Sequence, residues 1–186
     1  MRNGTPFPVD RPFALVGSED RGLLLTALNA AALGEGLSPG LGLADARAIC
    51  PQLLTAPAAP DKDAACLLAL ARWSSRYSPS LNVDGDDGLW LDVSGVPHLF
   101  GGARALLADM AMRFLRLGFS ARLALAETLG GAHALARYVH SSSIIVPQGK
   151  MAEVLAPLPV EALRLDNDIT RLLKRLQKSV AASEAK

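Results

Sequence analysis

Three aspartates crowd one short segment of the chain and are the side chains best suited to chemistry. Asp84, Asp86 and Asp87 are interleaved with Gly85 and Gly88. Carboxylate oxygens are the ligands that magnesium prefers, and a set of them around two ions can drive phosphoryl transfer. Aspartate and glycine are also ordinary turn residues, because glycine permits positive φ and aspartate bonds to nearby backbone amides. Composition alone favours the turn, and the spacing leaves both interpretations open.

The segment that follows the aspartates predicts a buried β-strand. Leu89, Trp90, Leu91 and Val93 supply apolar and β-prone residues. A second strand is predicted just before the turn, at residues 81–83, so the aspartates would lie at the mouth of a hairpin. One aspartate alone cannot hold two metal ions a few ångströms apart, because each ion needs several hard oxygen ligands.

Residues 84–95 resemble the palm motif of Y-family (lesion-bypass) DNA polymerases, in which an adjacent Asp and Glu face two metal ions. When the motif is aligned on the Leu-Asp-Val segment 91–93, its Asp falls on Asp87 and its Glu falls on Gly88. The resemblance therefore implies that Asp87 is a vestigial metal position and that the second carboxylate is missing.

Two further motifs of the same family can be followed in register. Residues 29–41 resemble the fingers motif, and the Tyr and Arg that grip the incoming triphosphate fall on Ala30 and Leu33. Residues 118–137 resemble the segment that carries a triphosphate-binding Lys, and this Lys falls on Leu129. None of these replacement side chains can donate a hydrogen bond to a phosphate or form an ion pair with it. The resemblance runs from about residue 12 to residue 176 and places no intact catalytic residue in the chain.

The shared direction of the losses at Ala30, Leu33, Gly88 and Leu129 resembles the ImuB subgroup, the catalytically impaired homologues of bacterial mutagenesis cassettes. The resemblance implies an adaptor in DNA repair, translesion synthesis and SOS-induced mutagenesis that needs no cofactor. Its partners would be DNA, an ImuA-like protein and an error-prone C-family polymerase. The alternative is an active translesion polymerase, a nucleotidyltransferase that holds Mg²⁺ with Asp87 and neighbouring carboxylates. A third interpretation is a module for protein interaction alone.

The net charge of the chain limits how it could bind DNA. Its net charge is +1, so no strong basic field covers the molecule and any DNA contact would be local, weak and independent of sequence. The candidate DNA contacts are the basic residues near the end of the chain, Arg164, Arg171, Lys174 and Arg175, with Lys178 beyond them. A solvated helix face is the alternative interpretation of this cluster.

Other function classes find little support in the sequence. The 2 cysteines, Cys50 and Cys66, have no Cys-x-x-Cys spacing and fit small core residues. No apolar run reaches the roughly 18 residues of a membrane span, so we expect a cytoplasmic protein without membrane partners. A chain of 186 residues with 50% hydrophobic content can bury a sizeable core.

The order of the predicted elements indicates an α+β protein. By resemblance, the fold would be a ferredoxin-like polymerase palm with a small helical fingers region and the start of a helical thumb. We assign residues 1–80 to the fingers with adjoining palm strands, 81–146 to the palm and 147–186 to a partial thumb. Pro6 and Pro8 argue against a central palm strand in residues 1–10, so we expect a chain shortened at both ends relative to the family. Strands are predicted at 12–16, 23–27, 53–56, 81–83, 88–93, 120–126 and 144–146, and helices at 29–33, 43–50, 61–77, 103–118, 128–138, 150–156 and 168–179.

Overall fold

A computed structural model of the chain describes residues 10–20 and 22–184. The prediction for the segment before Asp10, and the side chain of Lys178, lie outside the described residues. The chain divides into two compact units, Met1–Ala69 and Leu70–Lys186. None of the described helices is long and apolar enough to cross a membrane.

The first unit is built on a three-stranded sheet. Strand β1 pairs antiparallel with β2 and parallel with β3, which gives the order β2-β1-β3. Small and aliphatic side chains fill the core of this unit, and Cys50 is fully buried there, as its apolar surroundings in the sequence predict. The elements are β1 (Phe13–Glu19), β2 (Gly22–Leu28), α1 (Ala30–Gly34), α2 (Leu43–Ile49) and β3 (Leu54–Pro57).

Asn29 fixes the start of helix α1. Its side-chain oxygen accepts hydrogen bonds from the amides of Ala32, at 2.9 Å, and Phe13, at 3.1 Å. Its side-chain amide donates to the carbonyl of Arg11 at 2.8 Å. One capping residue therefore joins the helix to the beginning of β1.

The helix α3 (Pro60–Ser74) carries the boundary between the units and differs from its prediction at both ends. Pro60 rather than Asp61 begins it, because proline is well suited to the first helical turn. The predicted end at Tyr77 is three residues too late. Tyr77 leaves the helix to enter the core of the second unit, where it is 1% exposed and its hydroxyl donates to Asp109 at 2.8 Å. Burial and this bond raise the pKa of Tyr77 to about 12.

The second unit packs two small sheets against an amphipathic helix. Strands β4 and β5 form an antiparallel hairpin, and β6 and β7 form a parallel pair. The inner face of α4 buries Leu106, Leu107, Met110 and Phe114, as the helical spacing predicts. The elements are β4 (Leu81–Asp84), β5 (Gly88–Leu91), a 3-10 helix (Pro97–Phe100), α4 (Ala103–Arg116), β6 (Leu123–Leu125), α5 (Leu129–Tyr138), β7 (Ser143–Ile145), α6 (Met151–Leu155), a second 3-10 helix (Val160–Leu163) and α7 (Asn167–Glu184).

Candidate functional site

The acidic segment forms the tight turn between β4 and β5, as the sequence predicts. Asp84 pairs across the hairpin with Gly88, and Gly85 has a φ of 63° in the turn. A Cβ at position 88 would lie 2.7 Å from the carbonyl oxygen of Asp84. The backbone of this hairpin therefore leaves no room for a side chain at the position where the family motif has Glu.

Asp87 is held by an arginine of helix α5. Arg137 donates from Nη1 to Oδ2 of Asp87 at 2.7 Å, and from Nη2 to Oδ1 of the same carboxylate. This two-pronged geometry suits a guanidinium and a carboxylate. The hydrogen bond from Arg137 lowers the pKa of Asp87, and the same bond raises the pKa of Arg137.

Asp84 is held by three donors in a nearly buried position, where its side chain is 11% exposed. His133 Nδ1 lies 2.9 Å from Oδ2 of Asp84, and Arg164 Nη1 lies 2.9 Å from Oδ1. The Trp90 side chain also bonds to this carboxylate. Burial, the largest single effect, raises the pKa of Asp84, but the three donors together outweigh it and lower the pKa. Because an ionised carboxylate only accepts, His133 is the donor in this bond.

Helix α5 brings two of these partners to the hairpin. His133 and Arg137 are four residues apart and so share one helix face. Thr128 caps the helix by accepting from the amide of Gly131 at 3.1 Å. A Cβ at Gly131 would lie 2.6 Å from Sδ of Met151, so the absence of a side chain lets α5 approach α6 closely.

The carboxylates of Asp84 and Asp87 do not fit a divalent metal ion. Both oxygens of Asp84 and both oxygens of Asp87 already accept bonds from protein donors, three of them from guanidinium groups. Asp92 also accepts from the amide of Ser94 at 2.9 Å. Among the described residues, no group of three or more His, Cys, Asp or Glu side chains is arranged to hold a metal. A guanidinium beside a carboxylate repels a cation that would share its oxygens.

The predicted triphosphate positions lie on the surfaces of their own units. Ala30 and Leu33 are exposed on α1 of the first unit. Leu129 is 63% exposed at the start of α5 in the second unit. These side chains offer methyl and methylene groups where the family motif offers a hydroxyl, a guanidinium and an ammonium.

The predicted DNA contacts have different surroundings. Arg164 pairs with Asp84, Arg171 pairs with Asp168 at 3.1 Å, and Lys174 pairs with Glu161. Within the described part of the chain, Arg175 has no ion-pair partner. Arg171, Lys174 and Arg175 lie on neighbouring turns of α7, while Arg164 lies before the helix and is directed to the hairpin.

His133, Arg137 and Trp90 are the members of the site that the sequence did not reveal. The i, i+4 spacing of His133 and Arg137 on a predicted helix is the one usable signal, since it predicts that both face the same neighbour. Which neighbour they face depends on tertiary packing.

The solved structures that share the fold of this chain include DinB and Dbh DNA polymerase. DinB from Sulfolobus solfataricus superposes with a TM-score of 0.74 at 14% identity, over 90% of this chain and 50% of that chain. The post-insertion binary complex of Dbh DNA polymerase gives a TM-score of 0.75 at 14% identity, over 89% and 50%. The fold is thus the α+β fold of the palm and fingers of Y-family DNA polymerases, and the predicted fold class is confirmed.

A sequence profile of the impB/mucB/samB family matches residues 6–183, so the chain belongs to this family. Protein ImuB of Caulobacter vibrioides strain NA1000 / CB15N is 47% identical over 141 residues, which are 76% of this chain and 31% of that protein. ImuB of strain ATCC 19089 / CIP 103742 / CB 15 matches to the same extent. The chain spans about a third of the length of these curated relatives. The predicted resemblance is confirmed.

We predict that Gly88→Glu, which restores the family residue, destabilises the second unit. The new Cβ collides with the backbone oxygen of Asp84, and overpacking of this kind costs about 1–3 kcal/mol. Urea unfolding measures the loss. Gly130→Ala is the matched control, because a Cβ at that position of the same unit meets nothing within 4 Å. A Gly88→Glu variant as stable as the parent would contradict the steric account.

Proposed function

We propose that this chain is a non-catalytic, polymerase-like protein that acts as an adaptor in DNA repair, translesion synthesis and induced mutagenesis. The observation that carries the proposal is the occupation of both oxygens of Asp87 by Arg137. Two-metal phosphoryl transfer needs free carboxylate oxygens that bridge or bind the ions. The single carboxylate that aligns with the family motif serves a structural ion pair instead.

The surfaces that would hold a nucleotide support the same conclusion. Leu33 is 52% exposed and Leu129 is 63% exposed. An exposed leucine gains nothing from a triphosphate, whereas a cation there would gain charge-assisted hydrogen bonds. Substrate binding is therefore weakened at the same time as metal binding.

The competing function is an active nucleotidyltransferase that uses Asp87 with Asp84, Asp86 or Asp92. The bonds from Arg137 would have to break before magnesium could bind Asp87. The bonds from Arg164 and His133 would have to break as well if Asp84 were the second ligand. Magnesium also gives up its waters reluctantly, so it competes poorly for carboxylates that are already paired.

We predict that the chain does not extend a primer, because it lacks a free pair of metal-binding carboxylates and a cationic triphosphate grip. Primer extension with magnesium or manganese, on undamaged and abasic templates, is the measurement. Incorporation above a no-protein control that disappears in Asp87→Ala would establish the competing function.

DNA binding in this proposal is weak, independent of sequence and carried by α7. The Arg171–Asp168 pair is an exposed one, with side chains 66% and 83% exposed, and such pairs contribute little stability. Arg171 can therefore exchange Asp168 for a phosphate of the DNA backbone at little cost in free energy. Arg175 has no ion-pair partner among the described residues, so it can contact a phosphate without giving up another bond.

We expect the triple variant Arg171→Ala, Lys174→Ala and Arg175→Ala to bind single-stranded and primed DNA more weakly than the parent. Each lost phosphate contact should flatten the log-log salt dependence by about 0.7–0.9. The comparison variant replaces Arg104, Arg113 and Arg116 of α4 with Ala, which removes the same charge elsewhere in the unit. Equal affinity and slope in the α7 triple variant and the parent would refute the assignment.

Protein partners complete the proposed adaptor. By resemblance, these are an ImuA-like protein and an error-prone C-family polymerase. The second unit has an open apolar groove of about 430 Å³, which is large enough for side chains of a partner. Its lining includes Gly130, Leu155, Leu158, Val160 and Leu163. Concave apolar sites of this kind commonly anchor ligands or partner residues.

We predict that Gly130→Phe weakens binding of the ImuA-like or polymerase partner by roughly tenfold, a change of about 1.4 kcal/mol. A side chain at Gly130 enters open space, so the ring can fill the groove without disturbing the fold. Biolayer interferometry with each partner gives the affinities. Leu115→Phe is the control, since it adds an aromatic ring to the exposed face of α4. If both variants keep the parental affinity, the groove does not bind these partners.

A further inference from the structure

Arg164 has a backbone conformation that is unusual for its residue type. Its φ is 54°, and it is the one non-glycine residue with positive φ in the described part of the chain. A Cβ makes this left-handed region unfavourable, so glycine or asparagine is common there. When a chain keeps an arginine in such a position, an interaction of its side chain is the natural explanation.

The side chain of Arg164 has that interaction with Asp84. The two groups approach to 2.9 Å, and Asp84 is only 11% exposed, whereas both partners of the Arg171–Asp168 pair are more than half exposed. His133 and Trp90 hold the same carboxylate in place. Arg164 thus bonds to a rigid, shielded acceptor, and solvent and salt screen this pair less than the exposed one.

Residues around Arg164 connect this anchor to the start of α7. The carboxylate of Asp166 accepts from the amide of Asp168 at 2.9 Å, and the Thr170 hydroxyl donates to the carbonyl of Leu165 at 3.3 Å. Lys174, two turns into the helix, pairs with Glu161 on the other side of Arg164. The direction of α7 therefore follows the backbone of residues 161–166.

We propose that Arg164 is a positioning residue, whose ion pair with Asp84 holds the left-handed turn that directs α7 and its basic face. This role is an alternative to the phosphate contact that the sequence predicts for Arg164, and it rests on the proposed DNA binding by α7. The ion pair of Arg164 with Asp84 joins the hairpin to the segment before α7, and these two residues are far apart in the sequence.

The two roles of Arg164 predict opposite effects of Asp84→Asn on DNA affinity. If Arg164 contacts phosphate, loss of the Asp84 charge frees the guanidinium and removes a repelling anion, so affinity rises. If Arg164 is an anchor, the same substitution loosens α7 and affinity falls. Arg164→Gln lowers affinity in both cases and cannot distinguish them.

The experiment measures binding to single-stranded DNA together with hydrogen exchange of the amides of residues 165–176. We expect Asp84→Asn and Arg164→Gln each to weaken binding severalfold and to speed exchange in this segment. Arg164→Lys, which keeps the charge, should restore part of both properties. Asp86→Asn is the matched control, because it removes one charge from the same hairpin turn and should leave exchange unchanged.

Tighter DNA binding by Asp84→Asn with parental exchange would overturn the proposal and restore Arg164 as a phosphate contact. Parental exchange in both Asp84→Asn and Arg164→Gln would overturn it as well. If the parent binds no DNA but both variants show faster exchange, the anchor role of Arg164 is supported. The proposed DNA binding by α7 is then refuted separately.

Discussion

The ion pairs and hydrogen bonds of Asp84 and Asp87, in the β4–β5 turn, connect the hairpin of the second unit to α5 and to the segment before α7. A nearly buried Asp84 would be costly without partners, because an ionised carboxylate loses its hydration there. The unit meets this requirement with donors from three separate places, β5, α5 and the segment before α7. Asp87 adds a second connection to α5 through Arg137. The hairpin, the helix and the approach to α7 are thus held by one set of charges.

Under the proposed function, this arrangement lets the family fold form without a metal ion at the turn. In a two-metal polymerase the acidic side chains repel one another until ions bind between them. Here arginine and histidine side chains supply the compensating donors, so the folded unit satisfies its carboxylates by itself. The hairpin also leaves no space for a side chain at Gly88, because a Cβ there would lie 2.7 Å from the backbone oxygen of Asp84. A glutamate at position 88 would therefore meet a steric obstacle, and a metal ion at Asp87 would meet an electrostatic one.

Local features of the fold could be predicted from the sequence, and long-range pairings could not. The spacing of Leu106, Met110 and Phe114 predicts the buried face of α4, because helical periodicity is a local property. The alignment that assigns Asp87, Gly88 and Leu129 to the catalytic motifs of the family stays a prediction. By contrast, the bonds that Arg137 and Arg164 make cross from one element to another, and no local pattern specifies them. The left-handed conformation of Arg164 is equally hidden, since residue type alone would favour glycine there.

The central claim is that protein donors, and not metal ions, satisfy the carboxylates of Asp84 and Asp87. The most direct test is a crystal structure of the chain grown with manganese, with diffraction data collected at the manganese absorption edge. The account predicts Arg137 on Asp87, Arg164 and His133 on Asp84, and no anomalous peak beside either carboxylate. A manganese peak bonded to Asp87, with Arg137 displaced, would contradict it.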